Sequence, residues 1–129
     1  MAERIVRTRW DGGMRAVTQA GNFEVVVDEP ESSGGTDTGP QPTDLLLVSI
    51  SSCLALALAW VARRQGVDLL SLEVTAVGRY DGLKFGQISV SISSASPQSV
   101  LEDLLPEAKR VCYVSNTLQN QPEFTVEVT

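Results

Sequence analysis

The chain has 129 residues, 43% of them hydrophobic and 20% charged, with a formal net charge of −6 and no histidine. That composition excludes a disordered chain, and an acidic balance without a basic run excludes binding to a nucleic-acid phosphate backbone, which needs clustered Lys and Arg. The missing histidine removes Cys-His and Ser-His-Asp catalysis, and two cysteines alone cannot close a structural zinc site in one chain.

Residues 1–10 mix charges with β-formers and lack an apolar core segment, so no signal peptide is expected and the expected compartment is the cytoplasm. In that reducing environment a lasting structural disulfide is not expected. Cys53 and Cys112 are then either plain core residues or redox groups.

Residues 3–10 and 14–28 read as strands. Asp11-Gly12-Gly13 and Ala20-Gly21-Asn22 are turn signals between them, which predicts an N-terminal β-meander. Residues 28–42 form a polar loop rich in Gly, Ser and Pro, long enough to be functional or mobile.

A long helix is predicted from Pro42 to about Gln65. Pro42 suits a first turn, Asp44 complements the positive helix end, Arg63 and Arg64 complement the negative end, and Gly66 stops the helix. Residues 45–62 carry no charge and reach the lower edge of the membrane-spanning range. Ser49, Ser51 and Ser52 lower the hydrophobicity, and strand-forming sequence flanks the run on both sides. A buried helix, central to a globular protein or a dimer, is therefore favoured over a membrane span.

Leu72, Val74 and Ala76 alternate with polar residues, as do Ile88, Val90 and Ile92, and Asp81-Gly82 makes the turn of a hairpin. Ser96-Pro97 opens a second helix with apolar residues at Val100, Leu101, Leu104, Leu105, Ala108 and Val111, kinked or broken at Pro106. Phe124, Val126 and Val128 alternate in a closing strand. The expected order is βββ-α-ββ-α-β, a single α+β domain over residues 1–129.

A cysteine that reduces peroxides must react as the thiolate, and its sulfenic acid condenses with a second thiol. Such chemistry needs a nearby positive charge but no histidine, metal or cofactor. Cys53 falls in mid-helix, where the helix dipole has faded, so its activating charge must come from elsewhere. Arg15, after the first turn, is the leading candidate, with Arg9 and Arg7 as alternatives. Asp44 is suited to orienting such an Arg, but it lies about 13 Å along the helix axis from Cys53, too far for direct contact. Lys109 and Arg110 stand close to Cys112 in sequence and would favour its thiolate. Trp60, Phe85 and Tyr113 read as packing residues.

The segment from Gly39-Pro40-Gln41-Pro42-Thr43-Asp44 through Ser51-Ser52-Cys53 resembles the first cysteine motif of the OsmC/Ohr family. Val111-Cys112-Tyr113-Val114-Ser115-Asn116-Thr117-Leu118 resembles its second, and the resemblance covers essentially the whole chain. It implies an intertwined homodimer with the long helices at its centre and two sites at the subunit interface. It implies reduction of organic hydroperoxides to alcohols, with Cys53 peroxidatic, Cys112 resolving through a Cys53–Cys112 disulfide, and a dithiol reductant of the lipoyl type. Arg15 and Asp44 match the assisting Arg and acid. Asp44 stands where the family usually has Glu, one methylene longer, and Tyr113 where Pro is common. The apolar helix around Cys53 suggests an alkyl or aryl hydroperoxide as substrate. The competing expectation is a non-catalytic member that binds an apolar ligand at the dimer interface.

Overall fold

The structure, a computed structural model, describes residues 2–129. It divides into two compact units, residues 1–46 and 47–129.

The first unit is the meander. Strands β1 (Val6–Trp10), β2 (Ala16–Ala20) and β3 (Phe23–Val27) form an antiparallel sheet in the order β1-β2-β3. The registers pair Thr8 with Thr18 and Thr18 with Val25. Both expected turns are present, and Gly12, Gly13 and Gly21 take the left-handed conformation that such tight connections require.

The polar loop after β3 folds back on itself. A short helical turn, Glu31–Ser33, begins it, and Asp37 N–H donates to the Glu29 carbonyl at 3.1 Å while Asp28 N–H donates to that of Pro40 at 3.2 Å. Gly35 passes so close to the Glu29 carbonyl that a Cβ would lie 1.8 Å from its oxygen, so only glycine fits. Of the two expectations for this loop, functional or mobile, the second is not met: its backbone is tied down by hydrogen bonds.

Helix α1 (Pro42–Arg64) starts in the first unit and forms the centre of the second. Its end is a Schellman motif: Val67 N–H reaches the Ala62 carbonyl, Gly66 N–H reaches that of Arg63, and Gly66 has φ +69°. The serines in its apolar run turn back onto their own helix, with Ser52 Oγ donating to the Val48 carbonyl at 2.6 Å and Ser51 Oγ to the same carbonyl at 3.3 Å.

The hairpin β4 (Glu73–Asp81) and β5 (Lys84–Ser93) pairs Val74 with Ile92 and Ala76 with Val90. Helix α2 (Gln98–Val111) runs through Pro106 as one assigned helix, and α3 (Tyr113–Gln119) follows directly. Leu54, Ala57, Leu58, Val61 and Ala62 of α1 pack against Leu104 and Ala108 of α2, with Cys112 in the same cluster. Leu72, Val74 and Ile92 of the hairpin half of this unit pack around it.

Two features differ from expectation. The closing strand is not formed: residues 121–129 carry no assigned strand, and Phe124, Val126 and Val128 are exposed. Their alternation encodes a preference for extended backbone, but a strand exists only where a second edge supplies its hydrogen bonds, and among the described residues this segment is paired with none. The second difference concerns α1, which is long and apolar enough to cross a membrane. One side of it is core, while Leu46, Val48, Leu56 and Trp60 remain exposed.

Candidate active site

Cys53 and Cys112 meet in the second unit. Helical spacing places Cys53, Leu56, Ala57 and Trp60 along one side of α1, next to the stripe that forms the core. Facing them are the end of α2 and the start of α3, with Arg110, Val111, Tyr113 and Asn116. Together these eight residues line a cavity of about 640 Å³. Trp60 is also capped by Arg64, whose guanidinium carbon lies 4.8 Å from the ring centre.

Cys112 is the joint between the two short helices. Its N–H closes α2 on the Lys109 carbonyl, and its own carbonyl accepts from Asn116 N–H at 3.0 Å, opening α3. Asn116 Nδ2 donates to the Arg110 carbonyl at 3.0 Å and locks the corner. This turn pushes the Cys112 side chain into the core, where it is fully buried. Cys53 packs against the same cluster but keeps part of its surface open to the cavity.

The two thiols are hydrogen-bonded to each other, and their surroundings shift them in opposite directions. Burial pushes the Cys53 thiol up; the Val114 N–H works against this, but Cys112 adds to the rise. Burial also opposes ionisation of Cys112, yet the Ser115 hydroxyl and N–H, the Cys53 thiol and the Val114 N–H outweigh it and bring Cys112 down. Of the two thiols, Cys112 is thus the one that ionises more readily.

The expected electrostatic role of Arg110 is corrected by this geometry. Arg110 is turned to Glu107, donating at 2.9 and 2.6 Å to the two carboxylate oxygens. The Glu107 carboxyl is held below its ordinary value by that guanidinium. The groups that bring Cys112 down are hydrogen-bond donors at the start of α3, and sequence adjacency to Lys109 and Arg110 does not foretell them.

The other expected site residues lie in the first unit. Arg15 pairs through Nη1 with Asp11, and its Nε donates to Thr38 Oγ1 at 3.1 Å. Asp44 is exposed in the first turn of α1, and one helix runs from it through Cys53, so the two keep their separation of about 13 Å along the axis. Arg7 and Arg9 are exposed on β1. Trp60 and Tyr113, read as packing residues, line the cavity, whereas Phe85 stacks on Tyr80 at 4.8 Å in the hairpin. Leu56, Val111 and Asn116 were not singled out; their signal was the helical spacing from Cys53 and their closeness to Cys112.

A dithiol with one buried and one partly exposed sulfur, at the junction of a long central helix and two short ones and with an apolar cavity open to the exposed sulfur, defines a thiol-redox class of site. The model of the OsmC-like protein family matches residues 35–127, and the chain belongs to that family. Among solved structures it is similar to an organic hydroperoxide resistance protein from Elizabethkingia anophelis, with 23% identity, 94% of this chain and 91% of that one covered, and a TM-score of 0.68. It is similar to an OsmC-like protein from Mycoplasma pneumoniae, with 16% identity, coverage of 93% and 89%, and a TM-score of 0.71. It is also similar to the organic hydroperoxide resistance protein OsmC of Legionella pneumophila, with 20% identity, coverage of 92% and 90%, and a TM-score of 0.66. These likenesses establish the fold. No curated protein sequence matches the chain.

Proposed function

We propose that this protein is a thiol-dependent peroxidase that reduces organic hydroperoxides to alcohols. The observation that carries the reading is the asymmetry of the dithiol: Cys53 opens on the apolar cavity and Cys112 lies hydrogen-bonded behind it. A bulky hydroperoxide reaches only the first sulfur.

In the proposed cycle the Cys53 thiolate attacks the terminal hydroperoxide oxygen. The O–O bond breaks, an alkoxide leaves and takes up a proton, and Cys53 becomes a sulfenic acid. The Cys112 thiol then attacks the Cys53 sulfur, forming the disulfide and releasing water. An external dithiol of the lipoyl type reduces the disulfide and is itself oxidised to a disulfide. Arg15 is the cation that favours the Cys53 thiolate, and Asp44 the acid that orients Arg15. The lining of Leu56, Ala57, Trp60 and Val111 favours alkyl or aryl hydroperoxides over hydrogen peroxide. The reading requires turnover that depends on the dithiol and is faster with an aryl hydroperoxide than with hydrogen peroxide. No turnover of any hydroperoxide by protein whose Cys53 is reactive would overturn it.

The same apolar cavity is the one observation in favour of a non-catalytic ligand-binding role. Binding of an apolar fluorescent probe that ignores both Cys53→Ser and oxidation of the dithiol would favour that reading.

The proposed working unit is a cytoplasmic homodimer. Leu46, Val48, Leu56 and Trp60 on α1, and the strand-patterned Phe124, Val126 and Val128, supply apolar surface that a second copy would cover. Sedimentation without detergent is expected to give twice 13.9 kDa at micromolar concentration. A monomer under those conditions would contradict the dimer.

A further inference from the structure

The first unit contains a hydrogen-bond relay that ends on Arg15. It begins at Asp28, the residue after β3, whose side chain is buried in the polar loop. Asp28 Oδ1 accepts from Glu29 N–H at 2.7 Å and Thr36 N–H at 3.2 Å. Oδ2 accepts from the Thr36 hydroxyl at 2.6 Å, the Thr38 hydroxyl at 2.6 Å and Thr38 N–H at 3.1 Å. Five donors on one carboxylate fix the loop and hold the acid ionised, far below the usual carboxylate range, with the Thr36 and Thr38 hydroxyls the largest contributors.

The arrangement fixes the polarity of Thr38. A hydroxyl has one proton, and the carboxylate takes it, so the lone pairs of Thr38 Oγ1 are left to accept. Arg15 Nε donates to that oxygen at 3.1 Å. Asp11 holds the same guanidinium through Nη1. The side chain is thereby gripped at two nitrogens, once by a carboxylate beside it and once by a hydroxyl whose rotor a second carboxylate has locked.

We propose that Thr38 and Asp28 are positioning residues for Arg15. They set the direction in which its guanidinium points. The proposal rests on the reading of Arg15 as the cation for Cys53. Neither residue is assigned contact with substrate.

The test is the pH dependence of Cys53 alkylation by iodoacetamide, followed by peptide mass spectrometry on the full-length protein; it needs no hydroperoxide and no turnover. Arg15→Met is expected to raise the alkylation midpoint by about one pH unit, and Thr38→Val by about half a unit. Thr38→Ser, which keeps the hydroxyl, is expected to restore the wild-type profile. Thr36→Val removes an equivalent hydroxyl from Asp28 without touching Arg15 and is expected to leave the midpoint in place. In the Arg15→Met background Thr38→Val should add nothing, since its effect runs through the arginine.

A wild-type profile for Thr38→Val beside a shifted Arg15→Met would overturn the relay while leaving Arg15 its role. So would equal shifts for Thr36→Val and Thr38→Val, or a Thr38→Val shift that persists without Arg15. An unshifted Arg15→Met would overturn the underlying reading of the arginine itself, and the relay with it.

Discussion

Replacement of Cys53 by serine is expected to cut dithiol-dependent turnover of an aryl hydroperoxide by about three orders of magnitude or more. Serine keeps the shape of the side chain and its place on α1, so the core should survive. Its hydroxyl does not ionise near neutral pH and cannot pass through a sulfenic acid. Cys112→Ser should behave differently. The cavity still exposes Cys53 in that variant, so one equivalent of hydroperoxide should still be consumed quickly. Sustained turnover should then fall, because a sulfenic acid without its resolving thiol is open to further oxidation. Steady-state consumption of the hydroperoxide, compared with the first-turnover burst, separates the two. Full activity in Cys53→Ser, or no burst in Cys112→Ser, would contradict the assignment of roles.

The second large effect concerns the core that holds the thiols. Leu58 is completely buried, midway along the packed face of α1, in the cluster that includes Cys112. Leu58→Ala removes buried methyl groups and leaves a cavity, and is expected to cost about 3 kcal/mol in urea denaturation. Leu83, at the fully exposed tip of the hairpin, provides the comparison: Leu83→Ala should stay within about 0.5 kcal/mol of wild type. A loss below about 1 kcal/mol at Leu58 would mean that α1 does not anchor this core.

Much of the fold was legible because local chemistry and tertiary packing agree along this chain. Pro42 and Gly66 mark helix ends through their own backbone preferences, and the two predicted bounds of α1 lie within a residue of those observed. The α+β class and the hairpin followed from alternation, since Val74 and Ala76 pair with Ile92 and Val90 on the half-buried face. The sequence favoured a buried helix over a membrane span, but length and hydropathy alone do not reveal that one face of α1 is occupied by α2.

The parts that were not legible depend on tertiary return of the chain. Thr36 and Thr38 look like ordinary loop polar residues until Gly35 allows the backbone to fold against Glu29 and brings both hydroxyls to Asp28. Spacing gives no sign of that convergence. The closing strand failed for the opposite reason: its local preference is present, but the segment pairs with no strand edge among the described residues. At the site, both cysteines stood out as residue types, while the lowering of Cys112 depends on the Ser115 hydroxyl and on backbone N–H groups of Ser115 and Val114, whose approach to the sulfur spacing does not reveal.

The opposite shifts of the two thiols bear on the role proposed for Arg15. In the second unit the electrostatics favour charge on Cys112, the sulfur that the cavity does not expose. The peroxidatic role proposed for Cys53 calls for a cation that reverses this preference, the role proposed for Arg15, which Asp11 and Thr38 grip within the first unit.

The most direct measurement is intact-protein and peptide mass spectrometry after one equivalent of an aryl hydroperoxide, without added dithiol. The account predicts a loss of two hydrogens from the intact chain and a single linked peptide pair joining Cys53 to Cys112. Cys53 carried to the sulfinic or sulfonic acid with Cys112 still a free thiol would contradict it.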